Sequence, residues 1–132
     1  MRVHFILKRK QNNMSNNPFR DQEKFMIACD QTVGVENKDQ YGLYLSLIEE
    51  EVQELRDSTT RVGDLDALID ILVVTIGALH SIGADVEGAW REVIGNNATK
   101  INPRTGKVNK REDGKVLKPE GWQPPNLEQY LK

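Results

Sequence analysis

Five carboxylates in this chain stand where a charge is hard to keep. Glu50, Glu51 and Glu54 fall in the helical pattern YLSLIEEEVQEL, and Asp66 and Asp70 fall in DLDALIDILVVTIGAL. The second stretch is apolar almost all the way round, and Asp70 has isoleucine on both sides. An aspartate in such a helix loses its hydration unless something positive replaces it. No Lys or Arg occurs between Arg61 and Arg91, so the helix has no local partner to offer. Residues three and four apart share a helical face, which pairs Glu50 with Glu54, Glu51 with Glu54 and Asp66 with Asp70. If the two faces meet, the acids repel one another strongly at low dielectric. A hard divalent cation resolves that repulsion. Mg²⁺ takes carboxylate and water oxygens and leaves positions open for substrate phosphates. Mn²⁺ suits the same ligands, and a cluster of this size has room for more than one ion. The plain alternative is a solvated acidic face, the usual fate of a Glu-Glu-Glu run. A di-iron bundle is a rival use of the acids, but it wants Glu-x-x-His pairs. Gln53, Glu54 and Asp57 occupy those third places, and His80 stands alone on an apolar helix, so it reads as a packed or surface histidine.

The elements that must position these acids are helical. Asn17-Pro18 is a start signal, with Asn as cap and Pro at the first position. Phe19, Phe25, Met26, Cys29 and Val33 follow as an apolar stripe ending near Gly34. A second helix is predicted over about 39–58, with Leu43, Leu47, Val52 and Leu55 facing a core and Leu45 and Ile48 widening the stripe. A third is predicted over about 63–82, capped by Asp64 and ended by Gly83. A fourth covers about 85–98, capped by Asp85, with Val86, Ala89, Trp90, Val93 and Ile94 buried. The short link between the second and third makes them an antiparallel pair, so their acidic faces can meet. After Ile101 the chain carries four of its five prolines and becomes basic. There DGKV signals a turn or short hairpin, and Trp122 and Tyr130 are expected to anchor an extended tail. The fold class is therefore all-α, a single domain over 18–132 with a C-terminal tail from 101 and a flexible lead-in over 1–17.

Composition narrows the function. The chain has 132 residues, 38% hydrophobic and 29% charged, enough for one soluble globular domain. Its net charge of −2 gives no pull towards nucleic acid or an anionic membrane. The single cysteine, Cys29, excludes an intrachain disulfide and suits a reducing cytoplasm. The longest apolar run, about 65–79, is too short to span a membrane and contains acids. MRVHFILKRK is not a signal peptide, and Met14 is a second possible start. No Cys/His cluster suits zinc.

The basic counterpart of the acids begins at Asn97 and Lys100 in NNATK and continues through Arg104, Lys107, Lys110, Arg111, Lys115 and Lys118. For most of these a solvated tail is the better reading. Taken with the acids, however, the residues resemble the MazG-like, all-α nucleoside triphosphate pyrophosphohydrolases. Glu50-Glu51-Val52-Gln53-Glu54 is similar to that superfamily's E-E-x-x-E motif. Asp70, followed by Ile-Leu-Val-Val, is similar to the Asp that ends its second motif; the E-x-x-D form has Ala67 here at the Glu place and Asp66 one residue earlier. Asn97-Ala98-Thr99-Lys100 resembles the N-x-x-K that contacts phosphate in one branch. DGKVLKPEGWQPPNL resembles the closing segment of that branch, which also occurs in bacteriophages. FMIACDQTVG resembles its first-helix signature, which puts Gln31 near the base pocket. The likeness covers about residues 19–127.

The resemblance implies cleavage between the α and β phosphates of a (d)NTP, giving a (d)NMP and pyrophosphate. Glu50, Glu51, Glu54 and Asp70, with Asp66 on the same face, would hold Mg²⁺ or Mn²⁺ on the phosphates, and a metal-activated water would attack the α-phosphorus. A glutamate such as Glu51 would take its proton. Asn97, Lys100 and Lys115 would contact the phosphate chain, and Gln31 or Asn37 would read a base edge. Family members form homodimers or homotetramers. They use dUTP, dCTP, other canonical nucleotides or damaged ones, and the phage-type, MazZ-like branch takes guanine nucleotides, so dGTP is the first choice here. Two rivals remain: a non-catalytic helical interaction module, and a metal-storage or sensing bundle indifferent to nucleotides.

Overall fold

The computed structural model describes residues 16–131. The expected lead-in, apart from Asn16 and Asn17, and the choice between Met1 and Met14 lie outside the described residues. Four α-helices account for more than half of the described residues: α1 (Pro18–Ala28), α2 (Lys38–Asp57), α3 (Arg61–Ser81) and α4 (Val86–Ala98). A two-stranded antiparallel sheet follows, β1 (Ile101–Asn102) and β2 (Lys107–Val108), with a 3-10 turn at Glu128–Tyr130. No helix among the described residues is long and apolar enough to cross a membrane. The helices fall into two compact units, one closing at Ala84 and one spanning Asp85–Leu131.

In the first unit, Asn17 caps α1 as its sequence signal predicts, its Oδ1 accepting from the backbone N–H groups of Phe19 and Arg20. The helix ends well before Gly34. The N–H of Cys29 is shared between the carbonyls of Phe25 and Met26, and Asp30 turns left-handed at φ 59°, a conformation Asp tolerates better than most residues. The loop that follows bonds along the end of α3: Gly34 N donates to His80 O and Asn37 N to Ser81 O. Asn37 then caps α2 through Gln40 N. At the start of α3 the cap is Thr60, whose Oγ1 accepts from Gly63 N at 3.0 Å. Asp64, expected in that role, sits in the first turn instead, where its charge still favours the helix N-terminus. Gly83, at φ 76°, ends α3 as expected.

The three residues Ser58–Thr60 link α2 to α3, and the two helices pack against each other as an antiparallel pair. Met26, Tyr44 and Ala78 form the buried centre, ringed by Val33, Tyr41, Leu47, Ile48 and Val74. Gly77 makes the closest approach possible, because a Cβ there would overlap the Tyr44 ring. His80 is packed, 7% exposed, with Nε2 at 2.9 Å from Phe19 O. Several residues expected in a core are open instead: Phe25, Cys29 and Leu43 in this unit, Trp90 and Ile94 in the next. Their stripes are wider than a single neighbouring helix can cover. The same is true of α3, where Ile76, Gly77 and Ala78 are buried but Val62, Leu65, Leu68, Ile69 and Leu72 are exposed.

In the second unit Asp85 caps α4 through Gly88 N. The chain after β2 returns along this helix. Glu92 accepts from Asn126 N at 3.0 Å, Asn96 donates to Gln123 O at 2.7 Å, and Tyr130 O accepts from Asp85 N. The Tyr130 ring lies over Gly88, where a Cβ would come within 2.5 Å of it. Tyr130 is thus an anchor of the tail, as predicted. The DGKV signal is a tight turn: Gly114 has φ 89° and Arg111 N donates to Lys115 O.

The two α2–α3 glycines should respond oppositely to a methyl group. Gly77→Ala is expected to destabilise the protein by about 1–3 kcal/mol, as overpacking does. Gly42→Ala, on α2 with nothing within 4 Å of the new Cβ, is expected to stabilise it by up to about 1 kcal/mol. Urea unfolding midpoints of the two variants would test this.

Candidate metal centre

Glu51 and Glu54 lie nearly one turn apart on α2 and so share a face. The antiparallel return through Ser58–Thr60 brings Asp70 of α3 opposite them. One carboxylate oxygen from each of the three lies within 4.8 Å of the others. Oxygens held by one six-coordinate cation at about 2.1 Å lie about 3–4 Å apart, so the three carboxylates would have to draw together to enclose one.

The electrostatics agree with that geometry. Glu51 Oε2 is shielded from solvent and accepts no hydrogen bond among the described residues. Burial lifts the Glu51 carboxyl above the usual glutamate range, and the adjoining Glu54 carboxyl and the Asp70 charge push it further the same way. A shielded oxygen without a donor, set among like charges, is the arrangement a hard cation satisfies. The three residues therefore fit a divalent metal ion.

The other sequence-predicted residues fall elsewhere. Glu50 is exposed and outside the three-carboxylate group, because it sits about 100° round the helix from Glu51. Asp66 is one turn ahead of Asp70, towards the interhelical link. It is half-buried and lines an open pocket of about 360 Å³ with Glu54, Asp57, Ser58, Thr59 and Thr60. These hydroxyl-bearing residues escaped the sequence reading; their signal was their place in the link between two acid-bearing helices. Gln31 accepts a hydrogen bond from the Tyr44 hydroxyl at 2.5 Å, which ties its carbonyl to the core. Asn37 is committed to the α2 cap and donates to Thr32 Oγ1. On the second unit, Lys100 Nζ donates to Asn97 Oδ1 at 3.2 Å. Lys115 is exposed, with its backbone N–H on Asp113 Oδ1.

The raised Glu51 pKa has a definite sign. Folding favours its protonated form, so this group's contribution to stability is present at low pH and is lost as pH rises through the folded-state pKa. In EDTA, Glu51→Gln should therefore melt higher than the unsubstituted protein at neutral pH, by roughly 2–5 °C, with the difference closing below the ordinary glutamate pKa. Millimolar Mg²⁺ should raise the melting temperature of the unsubstituted protein and leave the variant nearly unchanged. Melting curves from pH 4 to 8, with and without metal, check both signs.

Comparison with known proteins agrees with the acidic pair of helices. The family model described as phosphoribosyl-ATP pyrophosphohydrolase matches residues 31–97, just over half of the chain and all of α2 and α3. No curated protein matches the chain. The paired acid-bearing helices and this match together place the chain in the phosphoribosyl-ATP pyrophosphohydrolase family, within the MazG-like, all-α NTP pyrophosphohydrolase superfamily.

Proposed function

We propose that this protein is a divalent-cation-dependent nucleoside triphosphate pyrophosphohydrolase, cleaving between the α and β phosphates to release a nucleoside monophosphate and pyrophosphate. The observation that carries the reading is the solvent-shielded Glu51 oxygen gathered with Glu54 and Asp70, in a chain of a pyrophosphohydrolase family. When bound, Mg²⁺ or Mn²⁺ supplies Lewis acidity to the phosphate oxygens and lowers the pKa of water. Glu51, Glu54 and Asp70 would hold the cation, with Glu50 and Asp66 as the further acids of the set. Water adds its oxygen to the α-phosphorus as the bond to the bridging oxygen breaks. A glutamate of the cluster such as Glu51 accepts the proton. Asn97, Lys100 and Lys115 contact the phosphate chain, and Gln31 faces the base. The substrate we assign first is dGTP, as in the phage-type guanine branch, with the work done in a reducing cytoplasm. A second reading, hydrolysis of phosphoribosyl-ATP, is favoured by the description of the matching family.

The reading extends to assembly. Val62, Leu65, Ile69 and Leu72 recur at helical spacing on α3 and are each about half or more exposed. Such a stripe on a water-facing helix is the kind of surface a second copy covers. We assign the protein to a homodimer or homotetramer formed through it.

Incubation with Mg²⁺ or Mn²⁺ and each common dNTP, NTP and phosphoribosyl-ATP, followed by nucleotide separation and pyrophosphate detection, tests the function. Monophosphate and pyrophosphate should appear fastest from dGTP, and Asp70→Asn should lower the rate by about 100-fold or more. Intact substrates throughout the panel would favour the non-catalytic module. Light scattering tests the assembly: Leu65→Glu should reduce the particle mass to that of a smaller oligomer or the monomer.

A further inference from the structure

On the second unit a single indole gathers two positive charges. Lys118 Nζ lies 4.5 Å from the centroid of the Trp122 ring and Lys100 Nζ lies 5.4 Å from it. The two lysines come from different places in the chain. Lys100 follows α4 directly, whereas Lys118 follows the turn at Gly114. Among the described residues neither ammonium is paired with a carboxylate, and the side-chain contact of Lys100 beyond the ring is Asn97 Oδ1. Free lysines on a surface spread apart, because that lowers their repulsion and keeps their rotamer freedom. Here the negative face of the indole works against that tendency.

The ring itself is held in an unusual way. A partly buried tryptophan normally finds an acceptor for its N–H. Trp122 Nε1 is shielded from solvent and has no hydrogen-bond partner among the described residues. Its placement therefore rests on contacts with its faces and edges, including those with the two lysines. The result is two flexible, strongly donating cations each held within about 6 Å of one indole, with no carboxylate paired to either among the described residues. Lysine acts as a point charge with several donors and suits phosphate oxygens. Two such charges favour a ligand bearing at least two phosphates over a monoanion.

We propose that Lys100 and Lys118 form a polyphosphate clamp, with Trp122 as the positioning residue that keeps both ammonium groups in place. The clamp rests on the assignment of Lys100 to the phosphate chain made above, and it adds Lys118, which sequence reading left as solvated tail, and Trp122. Its ligand is pyrophosphate, either free as the product or as the outer phosphates of a nucleoside triphosphate.

The test is binding without turnover. With Trp90→Phe as the background, Trp122 is the one remaining tryptophan of the two in the chain. Inorganic pyrophosphate, inorganic monophosphate and dGTP are titrated into the full-length protein in EDTA, read by Trp122 emission and by calorimetry. Pyrophosphate and dGTP should bind saturably, with monophosphate about tenfold weaker. Lys118→Ala and Trp122→Leu should each weaken pyrophosphate about tenfold, and Trp122→Phe, which keeps an aromatic face, should stay within about threefold. Circular dichroism of each variant controls for folding. Unchanged affinity in Lys118→Ala overturns the clamp, and so does a Trp122→Phe loss as large as that of Trp122→Leu. Pyrophosphate binding alone with dGTP excluded assigns the clamp to the product. Because EDTA removes the metal, the clamp and the proposed activity fail separately. Tight, variant-sensitive pyrophosphate binding without hydrolysis in Mg²⁺ leaves the clamp standing and removes the activity; hydrolysis whose KM ignores Lys118→Ala and Trp122→Leu does the reverse.

Discussion

How closely α2 and α3 approach each other governs the first unit. The approach is set at one end by the three residues of the Ser58–Thr60 link and further along by Gly77, which leaves the Tyr44 ring lying against bare helix backbone. A side chain larger than hydrogen at 77 would separate the helices, and with them the carboxylates about two and three turns nearer the link. The Tyr44 hydroxyl extends the same contact to Gln31, so the start of the loop after α1 is tied to the same packing. Geometry at the acidic cluster is thus inherited from an aromatic–glycine contact that carries no charge at all.

That closeness works against electrostatics. Glu51, Glu54 and Asp70 would lie further apart if repulsion alone decided their positions. The hydrophobic and packing terms of two long helices overrule it, and burial, with the neighbouring carboxyls adding to it, leaves Glu51 with a proton that is harder to remove. Such an arrangement costs stability in the metal-free state and leaves three carboxylates gathered where a cation could be held. The open pocket beside it, with Glu54 and Asp66 on its wall and hydroxyls from the link, continues the polar surface away from the apolar core.

The second unit solves a different problem. Its helix is short and its tail is rich in proline and lysine, so it has little apolar area to bury. Specific polar contacts take over: Glu92 and Asn96 bind tail backbone, and Tyr130 closes over Gly88. The basic residues then divide by environment. Arg111 is paired with Asp113 at the turn, whereas Lys100 and Lys118 each lie against the Trp122 ring. The same side-chain chemistry serves a turn in one place and, among the described residues, stands without a carboxylate partner in the other.

The four helices, the caps at Asn17 and Asp85, the stop at Gly83, the turn at Gly114 and the acid-bearing pair were legible in the sequence, since each depends on local periodicity or on one residue's backbone preferences. The sequence also marked Glu51, Glu54 and Asp70 through spacing and through the absence of a local base. It did not determine which of five acids would converge. Glu50 and Glu51 are neighbours in the chain, yet the helical rotation between them puts one in solvent and the other against Asp70. Nor did it show that Phe25, Leu43 and Trp90 would remain exposed, because an apolar residue is buried only if another element arrives to cover it. The Lys100–Trp122–Lys118 cluster was equally hidden, being made by a chain reversal between residues distant in sequence. Local rules decide what each segment becomes; only tertiary packing decides which faces meet, and the candidate site is made of faces that meet.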